Sequence, residues 1–189
     1  KKRFVEHITN SKTLGVYSIN DETLSGTDEK QLISIILKEI KKYDLVIVTD
    51  YGHGLISGKV AKTIVNNSQY TALNAQINAA NSSYHTMDNY EKVECVIINE
   101  SELRHELRNR DGNLNDLMKT LAQNLRAINV VVTRGNQGAK LYHRSKDEFM
   151  ICPAFALKVV DKVGSGDAML ALLSASLRSG MDDQISLLV

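Results

Sequence analysis

Two cysteines in 189 residues, Cys95 and Cys152, stand far apart, with no further cysteine or paired histidine beside them. That argues against a disulfide framework and a cysteine zinc site, and fits reduced thiols in a cytoplasm. Long apolar runs are also missing. Nothing approaches the ~20 residues that span a bilayer, and Lys1-Lys2-Arg3 is followed by no signal-peptide core. Charge of one sign is not in excess either: 23 Lys+Arg against 22 Asp+Glu give a formal net charge of +1. The basic residues are dispersed over what read as solvated helix faces, so neither nucleic acid nor a membrane is expected as a partner. No internal repeat, low-complexity tract or obvious linker divides the chain.

What is present is ordinary for one globular domain: 43% hydrophobic and 24% charged residues. The apolar pattern alternates between two periods. Strands are expected at 14–19, 44–48, 71–74, 93–98 and 129–133, with a hairpin of strands at 139–143 and 148–151. Helices are expected at 28–42, from the cap Ser57 to about 67, from 99 onward, at 114–127 and at 168–177. Continuous β-branched strands separated by amphipathic helices predict an α/β fold, a mainly parallel sheet between helical layers. The chain begins without Met and ends on Leu187-Leu188-Val189 inside an expected helix, as expected of a piece of a longer polypeptide.

Asp161-Lys162-Val163-Gly164-Ser165-Gly166-Asp167 is the most telling stretch. A glycine-flanked turn ends in a carboxylate, and a helical run starts at once. Such a turn aims backbone N–H groups at one point, with the positive end of the helix behind them, and suits an anion such as phosphate. A carboxylate at the rim of an anion hole is electrostatically awkward unless it takes a proton from a hydroxyl attacking a phosphoryl group. The plain structural alternative is a Gly-rich turn with Asp167 as an ordinary N-cap.

Other polar clusters also follow strands, where ligands of open α/β sheets sit. Asp50-Tyr51-Gly52-His53-Gly54 follows one strand, and Asn74 and Gln76 follow the next. Asn99 and Glu102 come after a third, and Thr133-Arg134-Gly135 after a fourth. Each alone reads better as a helix cap or turn; together they predict one composite site.

These motifs are similar to those of the ribokinase-type carbohydrate kinases, the PfkB family. Asp161, Gly164, Gly166 and Asp167 match its pattern Asp-Thr-x-Gly-Ala-Gly-Asp, with Lys162 in place of Thr and Ser165 in place of Ala. Asn99-x-x-Glu102 resembles its Asn-x-x-Glu element, and Thr133-Arg134-Gly135-x-x-Gly138 its Thr-x-Gly-x-x-Gly element. Asp50-Tyr51-Gly52-His53-Gly54 resembles the Asp-Tyr-x-Lys-Gly of the family's heptose-phosphate kinases, with His53 where Lys is usual, so that a permanent charge becomes pH-dependent. The amide-rich run from Asn74 and Gln76 through Asn78 to Asn81 is similar to kinase modules fused to sugar nucleotidyltransferases. The family's N-terminal Gly-Gly sugar element and most of its lid are absent, as is its C-terminal end.

The resemblance implies a single, incomplete three-layer α/β/α ribokinase-like domain over residues 1–189. It implies transfer of the γ-phosphoryl of ATP to a hydroxyl of a sugar or sugar phosphate. Asp167 is then the base, and the amides of Gly164, Ser165 and Gly166 hold the transferring phosphate. Asn99, Thr133, Gly135 and Gly138 are implied at the nucleotide, and Asp50, Asn74 and Gln76 at the acceptor. Glu102 is implied to hold Mg²⁺ through water, and Asp161 a monovalent cation such as K⁺. A homodimer of the full-length protein follows in the same way, while the cytoplasmic location rests on the thiols. Two alternatives stay open: a nucleoside or vitamin kinase of the same fold, and a nucleotide-binding module without catalysis.

Overall fold

Strands whose consecutive residues are apolar and β-branched are the ones buried on both faces. The computed structural model describes residues 2–8, 12–18, 22–76, 87–155 and 164–188. A two-stranded antiparallel sheet comes first, β1 (Lys2–Val5) with β2 (Lys12–Val16). Its Phe4, Leu14 and Val16 are half exposed or more. Helix α1 (Gly26–Glu39) follows, then β3 (Val46–Asp50), α2 (Gly58–Asn67) and β4 (Thr71–Ala75). Next come β5 (Cys95–Asn99), α3 (Glu100–Glu106), α4 (Leu114–Asn124) and β6 (Asn129–Thr133). The hairpin β7 (Ala139–His143) and β8 (Glu148–Cys152) precedes α5 (Ser165–Arg178) and α6 (Asp183–Ser186).

Strands β3 to β8 form one six-stranded sheet in chain order. The pairs β3–β4, β4–β5 and β5–β6 are parallel, and β6–β7 and β7–β8 antiparallel. Alternation along the strands splits the core in two. Leu73, Val96, Ile98, Val130 and Val132 face Val60 and Ile64 of α2, Leu103 of α3, and Met118 and Leu121 of α4. Ala72, Cys95, Ile97, Val131 and Leu141 face Leu170 and Leu173 of α5. The result is helices on both sides of the sheet, the expected three layers. Among the described residues no helix is long and apolar enough to cross a membrane.

Several boundaries differ from the sequence reading. Ser25 Oγ accepts the Asp28 N–H at 3.1 Å, so α1 starts at Gly26, two residues early. Strands β3 and β5 begin two residues later than expected, at Val46 and Cys95, because an apolar run does not mark where pairing starts. Helix α4 stops at Asn124 rather than 127, as Leu125 caps it and Arg126 takes a φ of 49°. Strand β2 covers 12–16 rather than 14–19, of which residue 19 lies outside the described residues.

Parallel pairing brings strand ends to a single edge. In register, Asp50 lies opposite Ala75, and Asn99 opposite Thr133. The antiparallel hairpin leaves that edge at Ala139 and returns to it at Cys152, the residue paired with Ala139.

Candidate active site

Helix α5 opens without a side-chain cap. Its N-cap is Gly164, held at φ 88° and ψ −7°, a left-handed conformation in which glycine carries no Cβ penalty. Asp167 is therefore not the N-cap but the third helical residue, in the first turn. The first intrahelical bond runs from Ala168 N to Gly164 O at 2.9 Å, so the amides of Gly166 and Asp167 have no acceptor within the helix. Among the described residues, a Cβ built on Gly164 or Gly166 would meet nothing within 4 Å. The turn faces open space, and a negative group approaching it is favoured by the helix dipole.

Gly166 walls a cavity of about 90 Å³ that also touches Asn74, Gln76, Asn99, Glu102 and Thr133. This is well below the ~300–1,000 Å³ of a pocket that encloses a small molecule, so it does not enclose one by itself. Asn99 and Glu102 enter it as a reciprocal pair. Asn99 Oδ1 accepts the Glu102 N–H at 2.8 Å, and Glu102 Oε2 accepts the Asn99 N–H at 3.1 Å. This capping box is what the Asn-x-x-Glu spacing does for the fold, and it presents the Glu102 carboxylate at the helix start. Asn74 donates through Nδ2 to Ile97 O at 2.7 Å, while its Oδ1 is buried without a hydrogen-bond partner among the described residues. A buried acceptor left unmatched is costly unless something outside the chain donates to it. Gln76 follows on the same strand end, and its Nε2 donates to Asp167 Oδ1 at 3.3 Å.

Asp50 does not line this cavity. It is 6% exposed, and its carboxylate accepts the Tyr90 hydroxyl at 2.8 Å and the Gly52 N–H at 2.9 Å. Its carbonyl accepts the Gln76 N–H at 2.9 Å. Burial first, then the Asp50 carboxylate, push the Tyr90 phenol well above its usual range and keep it a donor. No signal in the sequence pointed to Tyr90, which contacts Asp50 only through the fold.

A second network flanks the cavity. Glu100 takes Arg134 Nε at 2.9 Å and Arg104 at 2.8 and 3.1 Å. The Arg134 guanidinium, and after it Arg104, hold the Glu100 carboxyl below the usual carboxylate range. Glu100 and Arg134 each stand one residue past the paired Asn99 and Thr133, so this contact is legible once β5 and β6 are known to be neighbours. In the loop that follows, Gly135 opens a short 3-10 turn over Gly135–Gln137. Gly138 has a separate packing duty: at φ 79° a Cβ there would lie 2.0 Å from the carbonyl oxygen of Cys152.

Among the described residues no three His, Cys, Asp or Glu side chains converge as a metal cage. Glu102 alone suits the habit of Mg²⁺, which is held by one or two carboxylates, waters and substrate phosphates. Asp161, Lys162, Asn78 and Asn81 lie outside the described residues. A larger cavity of about 520 Å³ opens beside Ser57 and Gly58 at the start of α2. None of the expected site residues lines it, and its Lys59 and Lys62 are paired with Glu29 and Glu91.

The α/β/α sandwich described above is a ribokinase-like fold. The model of the pfkB family of carbohydrate kinases matches residues 8–189, and the chain belongs to that family. It is 28% identical over 163 residues to the bifunctional protein HldE of Trichlorobacter lovleyi, covering 85% of this chain and 32% of the relative. The chain thus spans about a third of that relative's length. Phosphofructokinase-2 from Escherichia coli, in complex with potassium, superposes with a TM-score of 0.74 at 15% identity. That match covers 95% of this chain and 57% of the other. Arabidopsis thaliana ribokinase, complexed with ribose and ATP, gives 0.63 at 17% identity, over 88% and 50% of the two chains.

Proposed function

We propose that the chain is the catalytic part of an ATP-dependent kinase for a sugar or sugar phosphate, with Asp167 as the base. One observation carries this reading: the ends of β4, β5 and β6 and the uncapped first turn of α5 meet at one cavity. The amides around Gly164, Ser165 and Gly166 would hold the transferring phosphate without a side-chain charge. Asn99, Thr133 and Gly135 stand at strand and helix ends suited to the rest of the nucleotide, with Gly138 shaping that loop by its packing. Glu102 would hold Mg²⁺ through water; the ion supplies charge neutralisation on the phosphates. Asp161 is the proposed ligand of a monovalent cation such as K⁺.

On the acceptor side, the Asn74 Oδ1 and the Gln76 amide would meet sugar hydroxyls, with Asp50 fixing the loop that begins at Gly52. Asp167 takes the proton of the acceptor hydroxyl as its oxygen bonds to the γ-phosphorus. The bond from that phosphorus to the bridging oxygen breaks, and ADP leaves. The resemblance of Asp50-Tyr51-Gly52-His53-Gly54 to the heptose-phosphate kinase motif supports a heptose phosphate among acceptors. Half-exposed Phe4, Leu14 and Val16 on the β1–β2 sheet support a homodimer of the full-length protein. Two isolated, buried thiols suit a reducing cytoplasm.

The test is ADP release by the full-length protein with ATP, Mg²⁺ and a panel of sugars, sugar phosphates, nucleosides and vitamins. Asp167→Asn should keep ATP binding and lower turnover by roughly 10²–10⁴-fold, the usual contribution of a positioned base. Turnover within a few-fold of wild type would reduce Asp167 to a helix-end residue. ATP binding without turnover on any acceptor would make the chain a nucleotide-binding module.

A further inference from the structure

A base on an exposed helix turn needs its carboxylate oriented, because an oxygen turned away from the acceptor hydroxyl cannot take its proton. Asp167 is exposed, and the flanking Gly164 and Gly166 carry no side chain to hold it. The contact the structure gives it comes from another element, through Gln76 Nε2 at 3.3 Å. Gln76 is in turn held from behind. Its N–H bonds the Asp50 carbonyl, continuing the β3–β4 ladder by one step past its last pair. Asp50 itself is fixed by the buried Tyr90 hydroxyl and the Gly52 amide. A line of three hydrogen bonds thus runs from the buried phenol, through the end of the sheet, to the candidate base.

We infer that Gln76 is a positioning residue for Asp167: its amide holds Oδ1 and leaves Oδ2 to receive the acceptor proton. The inference rests on the kinase reading above and assigns Gln76 a second duty beyond contact with the acceptor. A neutral amide suits the place. A lysine would form an ion pair with the carboxylate and lower its basicity, and a carboxylate would repel Asp167.

A double-mutant cycle on the full-length protein tests it, because a residue acting through another has no effect once that other is removed. Gln76→Met keeps the length of the side chain and removes the donor. It should lower kcat roughly tenfold while the KM for ATP stays within about twofold, and in the Asp167→Asn background it should cost less than about twofold. Gln76→Glu should lower kcat further than Gln76→Met, since it sets a second carboxylate against the first. An equal loss in both backgrounds overturns the inference and makes Gln76 an independent contact. A rise in acceptor KM with kcat unchanged overturns it likewise. If the wild type phosphorylates no acceptor on the panel, the kinase reading fails and this inference with it. Turnover by the wild type with an unchanged Gln76→Met kcat defeats the inference alone.

Discussion

Asn99 and Glu102 cap one another, each side chain accepting the other's backbone N–H across the first turn of α3. The two residues can therefore be separated by substitution. Asn99→Ala removes the cap and should lower stability by about 1 kcal/mol, read as a shift in the urea midpoint. Glu102→Gln keeps an acceptor oxygen for the Asn99 N–H, so stability should change little. The Mg²⁺ concentration for half-maximal turnover of the full-length protein should rise instead. A stability loss in Glu102→Gln as large as in Asn99→Ala, with Mg²⁺ dependence unmoved, would confine Glu102 to the cap.

Two glycines with positive φ should respond differently to alanine. At Gly138 the new Cβ would lie 2.0 Å from the Cys152 carbonyl oxygen, and backbone must shift; a loss of at least ~2 kcal/mol is expected. At Gly164 there is no clash, so only the conformational cost of about 1–2 kcal/mol applies. Nucleotide affinity should nevertheless suffer at Gly164, because the helix start it caps faces the proposed phosphate. Equal ATP affinity in Gly164→Ala and wild type, measured by calorimetry on folded protein, would refute an anion role for this turn.

Glu100 should make stability pH-dependent. Its folded carboxyl is held below the ordinary value of about 4.3 by Arg134 and Arg104. The contribution is present above that ordinary value and fades as pH falls through the lower, folded one. Glu100→Gln should thus cost about 1 kcal/mol at neutral pH, and the gap to wild type should close as the solution is acidified. Urea titrations at several pH values read it directly. A gap that is constant with pH would mean the loss comes from shape and not charge.

Tyr90→Phe keeps the ring packed and deletes one hydrogen bond to a buried carboxylate. Asp50, at 6% exposure, would be left with the Gly52 amide on its side chain. A loss of about 1–3 kcal/mol is expected, and the loop after β3 should exchange its amide hydrogens faster. An unchanged urea midpoint would show that Asp50 finds another donor.

Local signals were legible before any coordinates. Ser57 as a cap, the opening of a helix at Asn99, the strand ending on Thr133 and the start of a helix beside Gly166 all depend on residues within a few positions of each other. The layers were legible too, because strands such as 129–133 carry apolar residues facing both ways. Boundaries at β3 and β5 were not, since ladder pairing is set by a neighbour remote in sequence. The Tyr90–Asp50 bond spans 40 residues and the Gln76–Asp167 bond 91, and nothing in either local sequence encodes its partner. The double duty of Gly138, loop residue and spacer against Cys152, also emerges only when β7 and β8 are zipped together.

The placement of Asp167 on α5, behind the antiparallel hairpin, has a kinetic consequence. Parallel pairs need long crossovers, and contacts between remote residues form slowly because loop closure must precede them. The strand ends near Asn99 and Thr133 can be brought together by the β5-to-β6 crossover alone. The glycine turn reaches them only after the chain has crossed the sheet twice more through β7 and β8. In refolding, helical and sheet signals should therefore return first, and the capacity to hold an anion last. On a ribosome, the same order means that the proposed reactive corner of this domain is assembled after its scaffold has closed.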